Sequence, residues 1–175
     1  MAVFAGDELS WSRIDYATIA GDGIACVDLQ QLDDCRGWLN RHRYRIVTVD
    51  CTAGLFALCK RLSDVFDWQG QFGYEFQGHS LDALRDGFMF EIPDDGGVVV
   101  ELLGPDALWE ADRGFVAGLL AIASEHTGRQ MAEGKRFFTV LLLERGSKML
   151  GETIEPLQVP ALWWRQGPGS PFRDR

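Results

Sequence analysis

Apolar positions along this chain fall into two alternating kinds of run: short continuous ones rich in β-branched residues, and longer ones in which they return every three or four places. Gly23 to Leu29 predicts a strand, and the next segment to about Asn40, with Leu32, Cys35, Trp38 and Leu39, predicts a helix. Tyr44 to Asp50, Tyr-Arg-Ile-Val-Thr-Val-Asp, predicts a second strand. Leu55, Leu58, Leu62 and Phe66 then mark one face of a helix. The turn signal Asp94-Asp95-Gly96-Gly97 precedes Val98 to Leu103, a nearly continuous apolar strand of the kind found inside a covered sheet. From Asp106 to about Ala132 the pattern fits one long helix or two abutting ones, since Gly114 and Gly118 interrupt it and Gly134 ends it. Phe137 to Leu143 closes the series with another central-looking strand. Residues 1 to 20 show no clear period. The alternation predicts an α/β fold.

Between the second strand's helix and the Val98 strand lies a stretch of different character. Residues 67 to 78 carry Trp68, Phe72, Tyr74 and Phe76 with Gly70, Gly73 and Gly78, an aromatic-rich connector that either packs onto the core or belongs to a contact surface. Tyr74 and Phe76 are open to both roles. Gly78 permits a tight entry, Ser80 is placed to cap, and Leu81, Leu84 and Phe88 recur at helical spacing. Asp82 and Asp86 are then expected together on the flank facing water, roughly 140° round from that stripe. Like charges four apart oppose each other by about 0.2 to 0.5 kcal/mol, so the pair raises a functional question as well as the plain reading of a solvated face.

Charge sharpens that question. The 175 residues hold 26 acids and 17 bases, a net charge of -9, which disfavours contact with a phosphate backbone and favours a basic partner. From Asp64 to Asp95 there are eight acids and one base, Arg85, a local charge of -7 centred on the Asp82/Asp86 helix. The length suits one domain. Apolar runs fall short of the roughly 18 residues of a membrane span, and the N-terminus lacks the basic and apolar regions of a secretory leader, so a cytoplasmic location is expected. Cys26, Cys35, Cys51 and Cys59 stand singly in apolar surroundings and read as reduced core thiols.

Little in the chain points to catalysis. It has no nucleophile elbow, phosphate-cradling loop or dinucleotide fingerprint. His79, Asp82 and Asp86 could meet a metal on one helix end, but no further histidine or cysteine completes a ligand set. His42 reads as part of a solvated helix end and His126 as facing water. No enzyme activity, cofactor or metal is expected. The aromatic residues lack the basic groove of a nucleic-acid platform, and neither direct nucleic-acid binding nor membrane attachment is expected.

With these residues laid out, the stretch from about Tyr44 to Leu143 resembles the barstar family, small proteins that inhibit barnase-type ribonucleases. The resemblance rests on Gly78-x-x-Leu81-Asp82-Ala83-Leu84-x-Asp86, the aromatic connector before it, the acidic surroundings and the order of elements. It implies a three-layer α/β fold with a small, mainly parallel sheet packed by helices, here extended at both termini. Residues 1–43 form an N-terminal extension, 44–143 the core, and 144–175 a C-terminal extension that packs back as far as Trp164 and frays beyond about Gly167. By the same resemblance Asp82 binds basic active-site groups of a ribonuclease and Asp86 is its plug-like companion. Phe76 holds an aromatic position of the binding loop without the phenolic hydroxyl, and Gly78 is the loop glycine that lets the backbone approach the enzyme. Arg85 stands where the family has an aromatic residue, and Arg129 where it has a further acid, although Glu133 keeps an acid one turn on. His79 and Ser80 replace an acidic-amide pair. The expected partner surface is Asp82, Asp86, Phe76, Gly78, Tyr74, His79, Arg85 and Glu133, and the expected partner a basic nuclease or toxin domain. The alternative is an interaction or structural module on the same fold that inhibits no nuclease. The two extensions could enlarge the sheet, bind another partner or mediate self-association.

Overall fold

A parallel sheet has two faces to bury, and this chain supplies a layer of helices for each. The computed structural model describes residues 13–76, 80–154 and 157–159. In chain order the elements are α1 (Ile14–Ala20), β1 (Ile24–Asp28), a 3-10 turn (Leu29–Gln31), α2 (Leu32–Arg41) and β2 (Tyr44–Asp50). There follow α3 (Gly54–Val65), α4 (Trp68–Phe72), α5 (Leu81–Gly87), β3 (Gly97–Leu103), α6 (Asp106–Ala111), α7 (Arg113–Ala132) and β4 (Arg136–Leu143). A two-stranded antiparallel ribbon, β5 (Thr153–Ile154) with β6 (Leu157–Gln158), comes last.

The main sheet has the order β1-β4-β3-β2 and every pairing in it is parallel. It is a mixed α/β fold of three layers. Alternation along the strands divides the core: Val98, Val100 and Leu102 point to one face and Val99 and Leu103 to the other. On the first face Cys26, Val49, Val100, Phe137 and Leu141 meet Leu58 and Leu62 of α3, Leu84 of α5, Trp109 of α6 and Val116 and Leu120 of α7. On the second, Ala25, Val27, Val99, Phe138 and Val140 meet Ile14 and Ile19 of α1 and Cys35, Trp38 and Leu39 of α2. The N-terminal extension thus enlarges the sheet by one strand and covers a whole face of it. All four cysteines are buried and unpaired, as their apolar neighbours predict. No helix among the described residues is long and apolar enough to cross a membrane.

The second face also contains a charge. Glu101, in the middle of β3, is fully buried, and its carboxylate accepts from Arg36 Nη2 of α2 at 2.8 Å and from Thr48 Oγ1 of β2 at 3.0 Å. A buried carboxylate without such donors would be strongly unfavourable, so α2 is tied to the sheet by necessity as well as by apolar contact. A second buried acid, Asp15 of α1, accepts from the Tyr44 hydroxyl at 2.5 Å and from Arg13 Nη2 at 2.6 Å.

Two readings need correcting. Residues 14–20, without visible period, form α1, because its buried face mixes Ile14 and Ile19 with Asp15 and Thr18, whose polar atoms are satisfied locally: the Thr18 hydroxyl donates to the Ile14 carbonyl. The aromatic connector holds a helical turn, α4, pinned by the fully buried Trp68. Of the two alternatives for the stretch from Asp106, two abutting helices form, and the break falls at Asp112, whose side chain accepts from the Phe115 N–H at 3.0 Å and starts α7 afresh. The tail residues Trp163 and Trp164 lie outside the described residues.

Arg36→Leu should lower unfolding free energy by about 3 kcal/mol, the low end for a broken buried pair because Arg36 is itself about a third exposed. Arg36→Leu combined with Glu101→Leu should recover most of that loss in urea denaturation, since the orphaned charge is then gone.

Candidate functional site

Helix α5 begins as its sequence dictates. Ser80 is the N-cap, its hydroxyl accepting from the Ala83 N–H at 3.1 Å, and the next seven residues wind one apolar stripe inward. Leu84 is fully buried and Phe88 nearly so. Two glycines let the short helix sit close to its supports. A side chain at Gly118 of α7 would overlap Leu81, and one at Gly87 would overlap the Trp68 ring. The seat continues into the irregular segment after α5, where Phe88 and Phe90 close round Phe66, His126 and Phe137 with ring centroids 4.6 to 6.0 Å apart.

The opposite flank carries the acids. Asp82 is 95% exposed and Asp86 is also exposed, as the helical spacing predicts. Their electrostatic setting is less simple than a pair of free carboxylates. Arg85 donates through Nε to Glu125 Oε2 on α7 at 3.0 Å and through Nη1 to Asp82 Oδ1 at 3.4 Å. Arg129 reaches the other Glu125 oxygen at 3.3 Å. Acid, base, acid therefore follow in sequence twice: Asp82, Arg85, Asp86 on α5, and Glu125, Arg129 on α7 with Glu133 as its C-cap. Glu133 is exposed and pairs with Lys135 at 3.6 Å. Asp86 has no ion pair among the described residues, which makes it the unneutralised acid of α5. The Arg85 contact to Asp82 also offsets the like-charge repulsion across the turn.

Of the residues expected to meet a partner, Asp82, Arg85 and Asp86 come together on one exposed flank. Tyr74 is 54% exposed, 6.2 Å from the Phe72 ring. Phe76 takes the packing role: its ring lies buried 4.6 Å from Trp68 and its N–H donates to Ser63 Oγ at 3.1 Å, so it is not presented on the exposed flank with Asp82 and Asp86. Gly78 and His79 lie outside the described residues. Glu125 was not anticipated, although its spacing of four from Arg129 is a sequence signal for a helical ion pair.

His126 overturns its expectation. It is buried on α7 against the edges and faces of three phenylalanines, and its Nε2 has no hydrogen-bond partner among the described residues. Burial, reinforced by the nearby Arg129 charge, pushes its pKa down to about 4 from an ordinary 6.5. Sequence spacing could not reveal this, since Phe88, Phe90 and Phe137 approach it only in the folded chain.

Nothing else assembles a reactive centre among the described residues, and no group of three or more histidine, cysteine or acidic side chains is placed to hold a metal. A cleft of about 620 Å³ opens at the carboxyl ends of the strands, a common ligand position in α/β folds. Four of its polar side chains are engaged with one another: Ser147 donates to Asp106, and Lys148 to Glu110 at 2.6 Å. No family model matches the chain, and neither a curated protein nor a solved structure is found that is similar to it.

Because folded His126 resists protonation while the unfolded residue accepts a proton near pH 6.5, its contribution is complete above that pH and is lost as the pH falls toward about 4. His126→Phe should flatten the fall in stability over this window, measured as urea midpoints at stepped pH. Asp82→Ala and Asp86→Ala should each change unfolding free energy by less than about 0.5 kcal/mol, whereas Leu84→Ala should cost about 2 to 5 kcal/mol.

Proposed function

We propose that this protein is a non-enzymatic inhibitor of the barstar kind, which covers the active site of a basic ribonuclease or related toxin nuclease with α5 and its surroundings. The observation that carries this reading is the presentation of Asp82 and Asp86: two exposed carboxylates on one flank of a short helix whose other flank is locked by Leu84, Phe88 and two close helix contacts. The order β2, α3, aromatic connector, α5, β3, α7, β4 supports it, because it is the order that the resemblance implies. Rigid carboxylates can stand in for substrate phosphates against the lysine, arginine and histidine side chains of a nuclease site, so inhibition is by occlusion and needs no chemistry from this chain. The net charge of -9 would steer a basic partner toward the complex and make association fall with salt.

A second reading, an interaction module that inhibits no nuclease, is favoured by one feature. Arg85 lies between the two acids and holds Asp82 at 3.4 Å, so a basic enzyme must displace or tolerate a guanidinium at the centre of the surface. The retention of Glu125 as an alternative acceptor for Arg85, at 3.0 Å, gives that guanidinium somewhere to stay while Asp82 is taken up by a partner.

Affinity capture from cells expressing the protein, with wild type and Asp82→Ala/Asp86→Ala as parallel baits, tests both. A small basic nuclease held only by wild type, and inhibited by it at equimolar ratio, is the expected result. Each single substitution should cost about 2 to 5 kcal/mol of binding, much of it the penalty of leaving the enzyme's charge unpaired. Equal retention of partners by both baits would remove the acidic helix from the binding surface and leave the module reading.

A further inference from the structure

An open groove of about 630 Å³ runs between α3 and the segment that leads from α4 to Phe76, and none of its lining residues belongs to α5. Its most unusual member is Phe56, which projects from α3 with 84% of its surface exposed, more than any other large apolar residue described. Phe76 and Cys59 supply the buried floor. Asp64, Asp67 and Glu75 stand exposed along the walls, Asp67 held there by a left-handed backbone turn at φ 47°, and Lys60 is the one base in the lining. None of the three carboxylates has an ion pair among the described residues.

This combination specifies an occupant. The volume suits one or two side chains of an extended segment, not a folded domain. An exposed phenylalanine beside an apolar floor favours a flat or long apolar side chain, and its ring face also attracts a guanidinium or ammonium. Three unpaired acids against a single lysine require positive charge on what binds, and they oppose a second copy of this chain, which would bring the same acidic groove and a net charge of -9. We propose that the groove is a docking site for a basic peptide segment of a partner protein, in which one apolar residue is flanked by arginine or lysine. The site is separate from the acidic flank of α5 and holds whether or not that flank inhibits a nuclease.

Selection from a random displayed-peptide library tests this directly, with three full-length baits. They are wild type, a groove variant (Phe56→Ala/Asp64→Asn/Glu75→Gln) and an α5 variant (Asp82→Asn/Asp86→Asn). The two variants lose the same amount of charge, so general attraction of basic peptides is matched, and all substituted residues are exposed, so equal thermal melts are expected. Peptides with an apolar residue between basic ones should be enriched on wild type and on the α5 variant. Those peptides, resynthesised, should bind the groove variant about tenfold or more weakly, as for loss of an aromatic anchor. Absence of such a motif, or its equal recovery on the groove variant, would overturn the proposal. Recovery lost only on the α5 variant would assign the peptides to α5, overturning the groove while strengthening the reading of that helix. Sedimentation showing a wild-type dimer that the groove variant cannot form would replace the peptide by a second copy.

Discussion

The contact on which this architecture turns is the one between Arg36 and Glu101. A carboxylate at the centre of a parallel sheet is tolerable only where donors meet it, and here the donors come from a helix and an edge strand that both precede it in sequence. That requirement joins β3, the heart of the core, to α2, part of what resembles an appended segment. It explains why the N-terminal extension cannot be a loosely attached module: removing α2 would expose the second face of the sheet and orphan a buried charge together. Asp15 repeats the arrangement at the edge of the same layer, drawing α1 to Tyr44.

The other face does different work. There the helices are held by shape, with few polar ties: Leu81 against Gly118, Gly87 against Trp68, and a cluster of phenylalanines around a neutral histidine. A seven-residue helix has little stability of its own, so its orientation is set almost wholly by what it buries. Rigidity on the inner flank fixes the backbone from which the outer carboxylates project, so less freedom is left to lose in any contact made there. The Arg85, Glu125 and Arg129 array then decides which of those charges is free in the isolated protein. Asp86 is, and Asp82 is partly neutralised.

Much of this was legible in the chain. Tyr44–Asp50 has its predicted bounds, the other three main strands shift by a residue at an end or two, and α3 by one. Those elements announce themselves because apolar burial follows the local period on one or both faces. What escaped the reading depends on contacts between distant residues. The period of α1 is hidden because two of its inward residues are polar: Thr18 bonds within its own helix, whereas Asp15 needs the distant Tyr44 to make sense. Glu101 sits inside an apolar strand as an apparent exception until Arg36 is brought to it. His126 looks like a surface residue beside Glu125, and only the convergence of three rings makes it a core one. For the candidate surface, spacing placed Asp82 and Asp86 correctly, while the role of Phe76 was settled by Trp68, whose position no local pattern discloses.

The pairing of β1 with β4 has a consequence for how the molecule comes into being. The ribosome delivers β1 before the other described strands, yet its sheet partner is β4, the last long one among them, so β1 must wait until β2, β3 and β4 have been made. In the interval β2 and β3 can pair, α3 and α5 can settle on them, and the Ile24–Asp28 segment remains an apolar strand without a sheet. Completion of the sheet is a closing step in which its first and last strands meet, and until then vulnerability to aggregation is concentrated in β1.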